Sequence, residues 1–183
     1  MDRDFAFHNP TKVFFGRTAM ENLPGMLARY GQNVLLAYGG GSIRKNGIYD
    51  QVMDCLKACG KTVTEFAGIM ANPTYAKVLE GARLARDAQI DLILAVGGGS
   101  VIDCCKAVSI FSVEDGDLWT KYWLERQEPE VKPLPVGVVL TMAGTGSEMD
   151  GDAVITHEET KVKTSCSETA FYPDFAILNP VFT

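Results

Sequence analysis

Histidine is scarce in this chain: 183 residues hold only His8 and His157. Neither belongs to a His-x-x-x-His or Asp-x-x-x-His arrangement, so no three-ligand catalytic metal site is legible. The same scarcity leaves no Ser-His-Asp arrangement, and no nucleophile elbow is present. Positive charge is short as well. Seventeen Lys and Arg against 23 Asp and Glu leave a net charge of -6, which argues against the basic face that a nucleic-acid partner demands. No apolar run reaches the roughly 18 residues of a membrane span. The opening "MDRDFAFHNPTKVFF" lacks the continuous apolar stretch of a secretory leader. The five cysteines, Cys55, Cys59, Cys104, Cys105 and Cys166, are an odd number. Cys55 and Cys59 share a helix face, but no second Cys or His pair completes a zinc pattern. They read as reduced small side chains of a cytoplasmic protein.

What is present is ordinary in amount and regular in order. Hydrophobic residues make up 46% of the chain and charged residues 22%, enough for one domain spanning residues 1–183. Strand and helix patterns alternate. "TKVFFG" is a short strand. "TAMENLPGMLARYG" reads as a helix with Thr18 and Glu21 as a capping box and Gly31 as its stop. "NVLLAY" and "KTVTEFAG" are strands flanking the amphipathic "GIYDQVMDCLKACG". "TYAKVLEGARLARDAQ" is a second amphipathic helix, and "DLILAVGGGS" runs from the most apolar strand into the helix "VIDCCKAVSIF". Further on, "PVGVVLT" is a strand, "AVITHEETKVKTSC" two short strands about a polar turn, and "FAILNP" a last strand. Uninterrupted apolar strands separated by helices predict a doubly wound, mostly parallel, Rossmann-like α/β sheet covered on both faces. Ligands of such sheets lie at the carboxyl ends of the strands.

"GGGS" occurs twice at such ends. At Gly97, Gly98 and Gly99 the backbone is free to approach a ligand closely. Ser100 is placed to cap the following helix, whose free N–H groups suit a pyrophosphate. Asp103, soon after, is either an acid favouring the helix dipole or a group holding a nicotinamide or substrate. The first copy, Gly39, Gly40, Gly41 and Ser42, lacks the carboxylate that often binds an adenosine ribose at this point. That absence leaves room for a 2′-phosphate, with Arg44 and Lys45 nearby. A third turn, "TMAGTGSEMD", offers the hydroxyls of Thr141, Thr145 and Ser147, with Thr145 or Ser147 as a helix cap. Lys163, on its own, reads as an exposed lysine.

Taken together, "AVGGGSVID" with Lys106, "TMAGTGSEM", "NPTKVFFG" and "YGGGSIRKNGIYDQV" resemble the iron-containing (group III) alcohol dehydrogenases. The nearest resemblance is to the branch of NADPH-dependent aldehyde reductases and butanol dehydrogenases, and it covers essentially the whole chain. It implies an N-terminal α/β cofactor domain like that of dehydroquinate synthase, followed by a helical domain. It also implies hydride transfer between NADP or NAD and a primary alcohol or aldehyde.

By the same resemblance, Gly97 to Ser100 carry the pyrophosphate and Gly39 to Ser42 the adenosine end, in the form of the NADP-preferring branch. Thr141, Thr145 and Lys163 contact the cofactor, and Asp150 stands near the nicotinamide. A divalent iron or zinc is held by one aspartate and three histidines beyond a segment like "FAILNPVFT", which this chain does not contain. The chain alone is therefore expected to bind cofactor without turnover. Cys104 and Cys105 stand where the family more often has Thr-Ala, and Gly144 and Asp150 where Ala and Asn are usual. A glycerol dehydrogenase-like or dehydroquinate synthase-like domain, or a free-standing nucleotide-binding module, are the alternatives. An apolar "KVFFG" at a sheet edge would need cover, which a homodimer through that strand would supply.

Overall fold

Short apolar runs alternate with amphipathic ones, and the computed structural model, which describes Asp4 and residues 8–183, turns this alternation into layers. The opening stretch read above for a leader lies partly outside the described residues. The strands are β1 (Lys12–Phe15), β2 (Asn33–Tyr38), β3 (Thr62–Phe66), β4 (Leu92–Gly97), β5 (Val136–Leu140), β6 (Asp152–His157), β7 (Val162–Ser167) and β8 (Phe175–Leu178). The helices are α1 (Leu23–Leu27), α2 (Ser42–Lys45), α3 (Ile48–Ala58), α4 (Tyr75–Asp87) and α5 (Gly99–Phe111). Six strands pair in the order β1-β8-β5-β4-β2-β3, and every pairing in this sheet is parallel. β6 and β7 form a separate antiparallel hairpin, joined across the polar turn expected after His157.

Parallel strands need crossovers, and the crossover helices cover both faces. Alternate residues of the central strands therefore enter two cores. On one face Val34, Leu36, Leu94 and Ile177 meet Leu23 and Leu27 of α1 and Val52 and Leu56 of α3. On the other, Leu35, Ala37, Ile93 and Ala95 meet Val78 and Ala82 of α4 and Ile102 and Val108 of α5. Each Val, Leu or Ile side chain among them, taken fully out of water, contributes about 1.5–3 kcal/mol. From Val101 to Phe111, α5 is buried on all sides, packed against α4, the sheet and β6.

Two local expectations fail. Thr18 makes no side-chain cap, and the expected single helix is a 3-10 turn (Ala19–Asn22) followed by α1. Pro24 explains the break: it sits in the first turn of α1, where a missing N–H costs nothing, so it starts a helix rather than interrupting one. The π-helical segment Trp119–Leu124 is also unanticipated, because widened turns leave no simple spacing in sequence. It seats Trp119, Tyr122 and Trp123 in the core, with the Trp123 indole N–H donating to the Ala153 carbonyl at 3.0 Å.

Gly137 of β5 lies directly against the fully buried ring of Phe175, and a Cβ there would overlap it. Gly137→Ala is expected to lower stability by about 1–3 kcal/mol through overpacking. The loss should appear as a lower urea midpoint with an unchanged slope.

Candidate cofactor-binding site

β2 and β4 are neighbours, yet the chain leaves β2 towards β3 on one side and returns through β4 on the other. The crevice outside their carboxyl ends is therefore the point where the sheet reverses its winding, the place where open α/β sheets bind ligands. Both glycine loops open there. Between them lies a cleft of about 340 Å³, lined by Gly39, Ser42 and Ile43 of the first loop and Gly97 to Val101 of the second. Ile69 to Ala71, after β3, and Thr141 and Met142, after β5, complete its walls.

The second loop needs glycine for closeness. A Cβ on Gly97 would stand 2.5 Å from the Val101 side chain, one on Gly98 3.1 Å from Met142 Cβ, and one on Gly99 would collide with the Thr145 side chain. The first loop needs glycine partly for conformation, since Gly41 has φ +102°. Gly39 is tight as well, with a Cβ position 3.2 Å from the Ile69 carbonyl. The turn after β3 is stitched to this loop: Gly68 N–H donates to Gly39 O and Ile69 N–H to Tyr38 O, both at 3.2 Å.

Behind the second loop, α5 presents its N-terminus. The N–H groups of Val101 and Ile102 turn back to the Gly98 carbonyl at 3.0 and 3.2 Å. Those of Gly99 and Ser100 find no backbone acceptor among the described residues. Free N–H groups at the positive end of a 13-residue helix suit an anionic phosphate. Ser100 does not cap this helix as expected. Gly98 takes the cap position with extended backbone, and Ser100 lies in the first turn, facing the cleft. Starting the helix at a glycine lets its backbone pass beneath Thr145, which a side chain at 99 would prevent.

The third turn folds over this point. Thr141 N–H donates to the Gly97 carbonyl at 3.0 Å. Thr145 and Ser147 hydroxyls bond each other at 2.8 Å. Neither Thr145 nor Ser147 is the cap of the short helix Ser147–Met149; Gly146, at φ +81°, takes that position because the chain turns through the left-handed region.

The remaining candidates divide. Asp103 does not line the cleft; it is 7% exposed beside Ser147. Its Oδ2 accepts from Val154 N–H at 3.3 Å, while Oδ1 has no partner among the described residues. Burial raises its pKa above the usual carboxylate range; the Ser147 hydroxyl eases this, although that hydroxyl is turned towards Thr145. Asp150 pairs with Lys106, which is fully buried. The ammonium meets Asp150 Oδ1 at 2.7 Å, Asp150 O at 2.8 Å and Asp152 O at 2.9 Å, so all its protons are bonded. Burial lowers the pKa of Lys106 and the Asp150 carboxylate holds it up. Asp150 lines a separate hollow with Asp152, Ser167 and Thr169. Gly40 is exposed between cleft residues. Lys163, on β7, reaches Asn72 Oδ1 at 2.5 Å, next to Ala71 of the cleft wall.

Other groups were not legible in advance. Glu65 of β3 comes beside the first loop because β2 pairs with β3, with Leu36 opposite Glu65. It accepts from Arg44 at 2.7 Å, Tyr49 at 2.8 Å and Tyr38. No local motif marks it; only the strand order would have. The cysteines are free thiols, and burial pushes Cys104 and Cys166 to about 12 and Cys55 to about 11, so none of these three is a ready nucleophile. No group of three His, Cys, Asp or Glu able to hold a metal occurs among the described residues.

Gly99→Ala should push the Thr145 loop off the helix N-terminus. Its expected effect is a loss of about tenfold or more in affinity for a pyrophosphate-bearing nucleotide, while a control in α1 away from the cleft, Gly25→Ala, whose Cβ would meet nothing, changes it by less than about twofold. Isothermal titration of both variants checks this.

The sequence model of the family described as "Iron-containing alcohol dehydrogenase" matches residues 10–180. The chain is 48% identical over 181 residues to the "Probable NADH-dependent butanol dehydrogenase 1" of Bacillus subtilis, covering 99% of this chain and 46% of that protein. It is 39% identical over 183 residues to the NADPH-dependent aldehyde reductase YqhD of Escherichia coli, covering 98% and 46%. Among solved structures, NADH-dependent butanol dehydrogenase A from Thermotoga maritima superposes with a TM-score of 0.89 at 44% identity, covering 97% of this chain and 44% of that one. The chain spans about half the length of the curated relatives it matches. It belongs to the iron-containing alcohol dehydrogenase family.

Proposed function

We propose that this chain is the NAD(P)H-holding part of an oxidoreductase that moves a hydride between the nicotinamide and a primary alcohol or aldehyde. One observation carries the reading: two glycine loops at adjacent strand ends enclose one cleft, and one of them runs into a free helix N-terminus. In this reading Gly97 to Ser100 hold the pyrophosphate through backbone N–H groups, and Gly39 to Ser42 hold the adenosine end. Thr141 and Thr145 close over the phosphates. Lys163 reaches the cleft rim from β7, and the unpartnered Oδ1 of Asp103 is an acceptor suited to a carboxamide N–H if the Ser147 turn yields. Asp150 acts through Lys106, since its carboxylate is already engaged.

When bound, the dinucleotide supplies the hydride, and the protein's part is to position it and exclude water. The relatives named above include one described as NADH-dependent and one as NADPH-dependent, and both nucleotides are therefore within the proposal. The divalent iron or zinc that the family implies does not fit the described residues, which bring no three donors together. No step of this chain is routed through it. That misfit favours a second reading of the chain by itself, a nucleotide-binding module without turnover.

Two further assignments belong here. Among the described residues β1 is an edge strand paired with β8 alone, and it leaves Phe15 77% exposed. Pairing of β1 with its counterpart in a second copy would cover it and give a homodimer. The reduced thiols suit a cytoplasmic location, and no helix among the described residues is long and apolar enough to cross a membrane.

The purified chain is expected to bind NADH or NADPH at micromolar concentration and to reduce butyraldehyde at no rate above background. Absence of nucleotide binding would sink the reading, and turnover at an ordinary enzymatic rate would sink its account of the metal. Light scattering should give twice the chain mass, and a strictly monomeric mass would remove the edge-strand dimer.

A further inference from the structure

Three donors converge on the Glu65 carboxylate beside the first glycine loop. Tyr38, the residue before Gly39, donates its hydroxyl; Tyr49 donates from α3 at 2.8 Å; and Arg44 donates from α2 at 2.7 Å. Arg44 also donates to the Tyr38 hydroxyl at 2.6 Å. Its guanidinium lies 3.7 Å from the centre of the Tyr49 ring and 5.4 Å from that of Tyr38. An exposed ion pair alone holds a side chain weakly. Here two hydroxyls and two aromatic faces act on the same pair, which fixes the arginine in one place. The Tyr38 hydroxyl, above all, keeps Glu65 below its ordinary pKa and hence ionised at neutral pH.

This cluster adjoins the adenosine end of the cleft. Ser42 and Ile43 line the cleft, and Arg44 follows them in the chain. The loop after β2 carries no acid, but the neighbouring strand brings one. A nucleotide with a 2′-phosphate adds close to two negative charges there, and the nearest guanidinium is already neutralised by Glu65. A plain ribose makes no such demand.

Resting on the nucleotide-binding reading above, we propose that Glu65, by holding Arg44 against Tyr38 and Tyr49, makes the adenosine end of this cleft select NADH over NADPH. The sequence offers Arg44 to a 2′-phosphate; the fold engages it elsewhere. Removing the negative charge at 65 releases a half-exposed arginine one residue beyond the cleft wall.

The test is titration of NADH and NADPH separately into the wild-type chain, Glu65→Gln and the double variant Glu65→Gln/Arg44→Met. The wild type is expected to bind NADH about tenfold more tightly than NADPH. Glu65→Gln should tighten NADPH by about tenfold while leaving NADH within about twofold. The double variant should lose that gain, which assigns it to Arg44 rather than to Lys45. A wild type that prefers NADPH, an unchanged ratio in Glu65→Gln, or a gain that survives loss of Arg44 would each overturn the selection by Glu65 while leaving nucleotide binding intact. Failure of every variant, wild type included, to bind either nucleotide would instead overturn the reading on which it rests.

Discussion

A lysine ammonium inside the protein must find three acceptors or give up its proton. Lys106 is wholly buried in α5 and finds two of them on Asp150, in the loop that follows β5, and the third on Asp152, the first residue of β6. One is the Asp150 carboxylate and the others are the carbonyls of Asp150 and Asp152. This single requirement ties the loop to the helix. The loop's other end is tied to the sheet by Thr141 N–H on the Gly97 carbonyl. Between these two ties, Thr145 is pressed onto Gly99, which is why glycine is needed there. The cradle at the start of α5 thus depends on a charge pair two turns further along the same helix. Removing the lysine would leave backbone carbonyls and part of a carboxylate without their partner, a heavier loss than the pair's own attraction.

The same economy of charge runs through the cleft. The chain carries a net charge of -6, yet the carboxylates nearest the cleft are each neutralised or withdrawn. Asp150 faces Lys106, Glu65 faces Arg44, and Asp103 is buried away from the cleft, where burial raises its pKa. The helix N-terminus, with the Lys163 ammonium near the rim, leaves the cleft suited to an anionic ligand.

Much of this was legible in the sequence because it rests on local pattern. Short uninterrupted apolar runs gave the strands, and Gly-Gly-Gly-Ser after two of them gave two walls of the cleft. The β6–β7 hairpin and the exposed edge at Phe15 followed from the same kind of signal. What escaped depends on contacts between distant segments. Thr18 promised a cap, but Pro24 placed the helix start further on. Asp150 looked like a ligand group until the fold brought Lys106 to it. Glu65 carried no motif, and only the pairing of β2 with β3 sets it beside the first loop. Whether a residue borders the cleft was thus readable where the backbone makes the wall, and unreadable where a side chain's partner decides its place.

The central claim is that both glycine loops hold one dinucleotide, with its pyrophosphate on the N-terminus of α5. The most direct measurement is an amide chemical-shift map of the isotopically labelled chain during titration with NADH. The account predicts that the amides of Gly98, Gly99 and Ser100 and those of Gly39 to Ser42 shift together along one saturation curve. Shifts confined to one loop, or two curves with different midpoints, would contradict it.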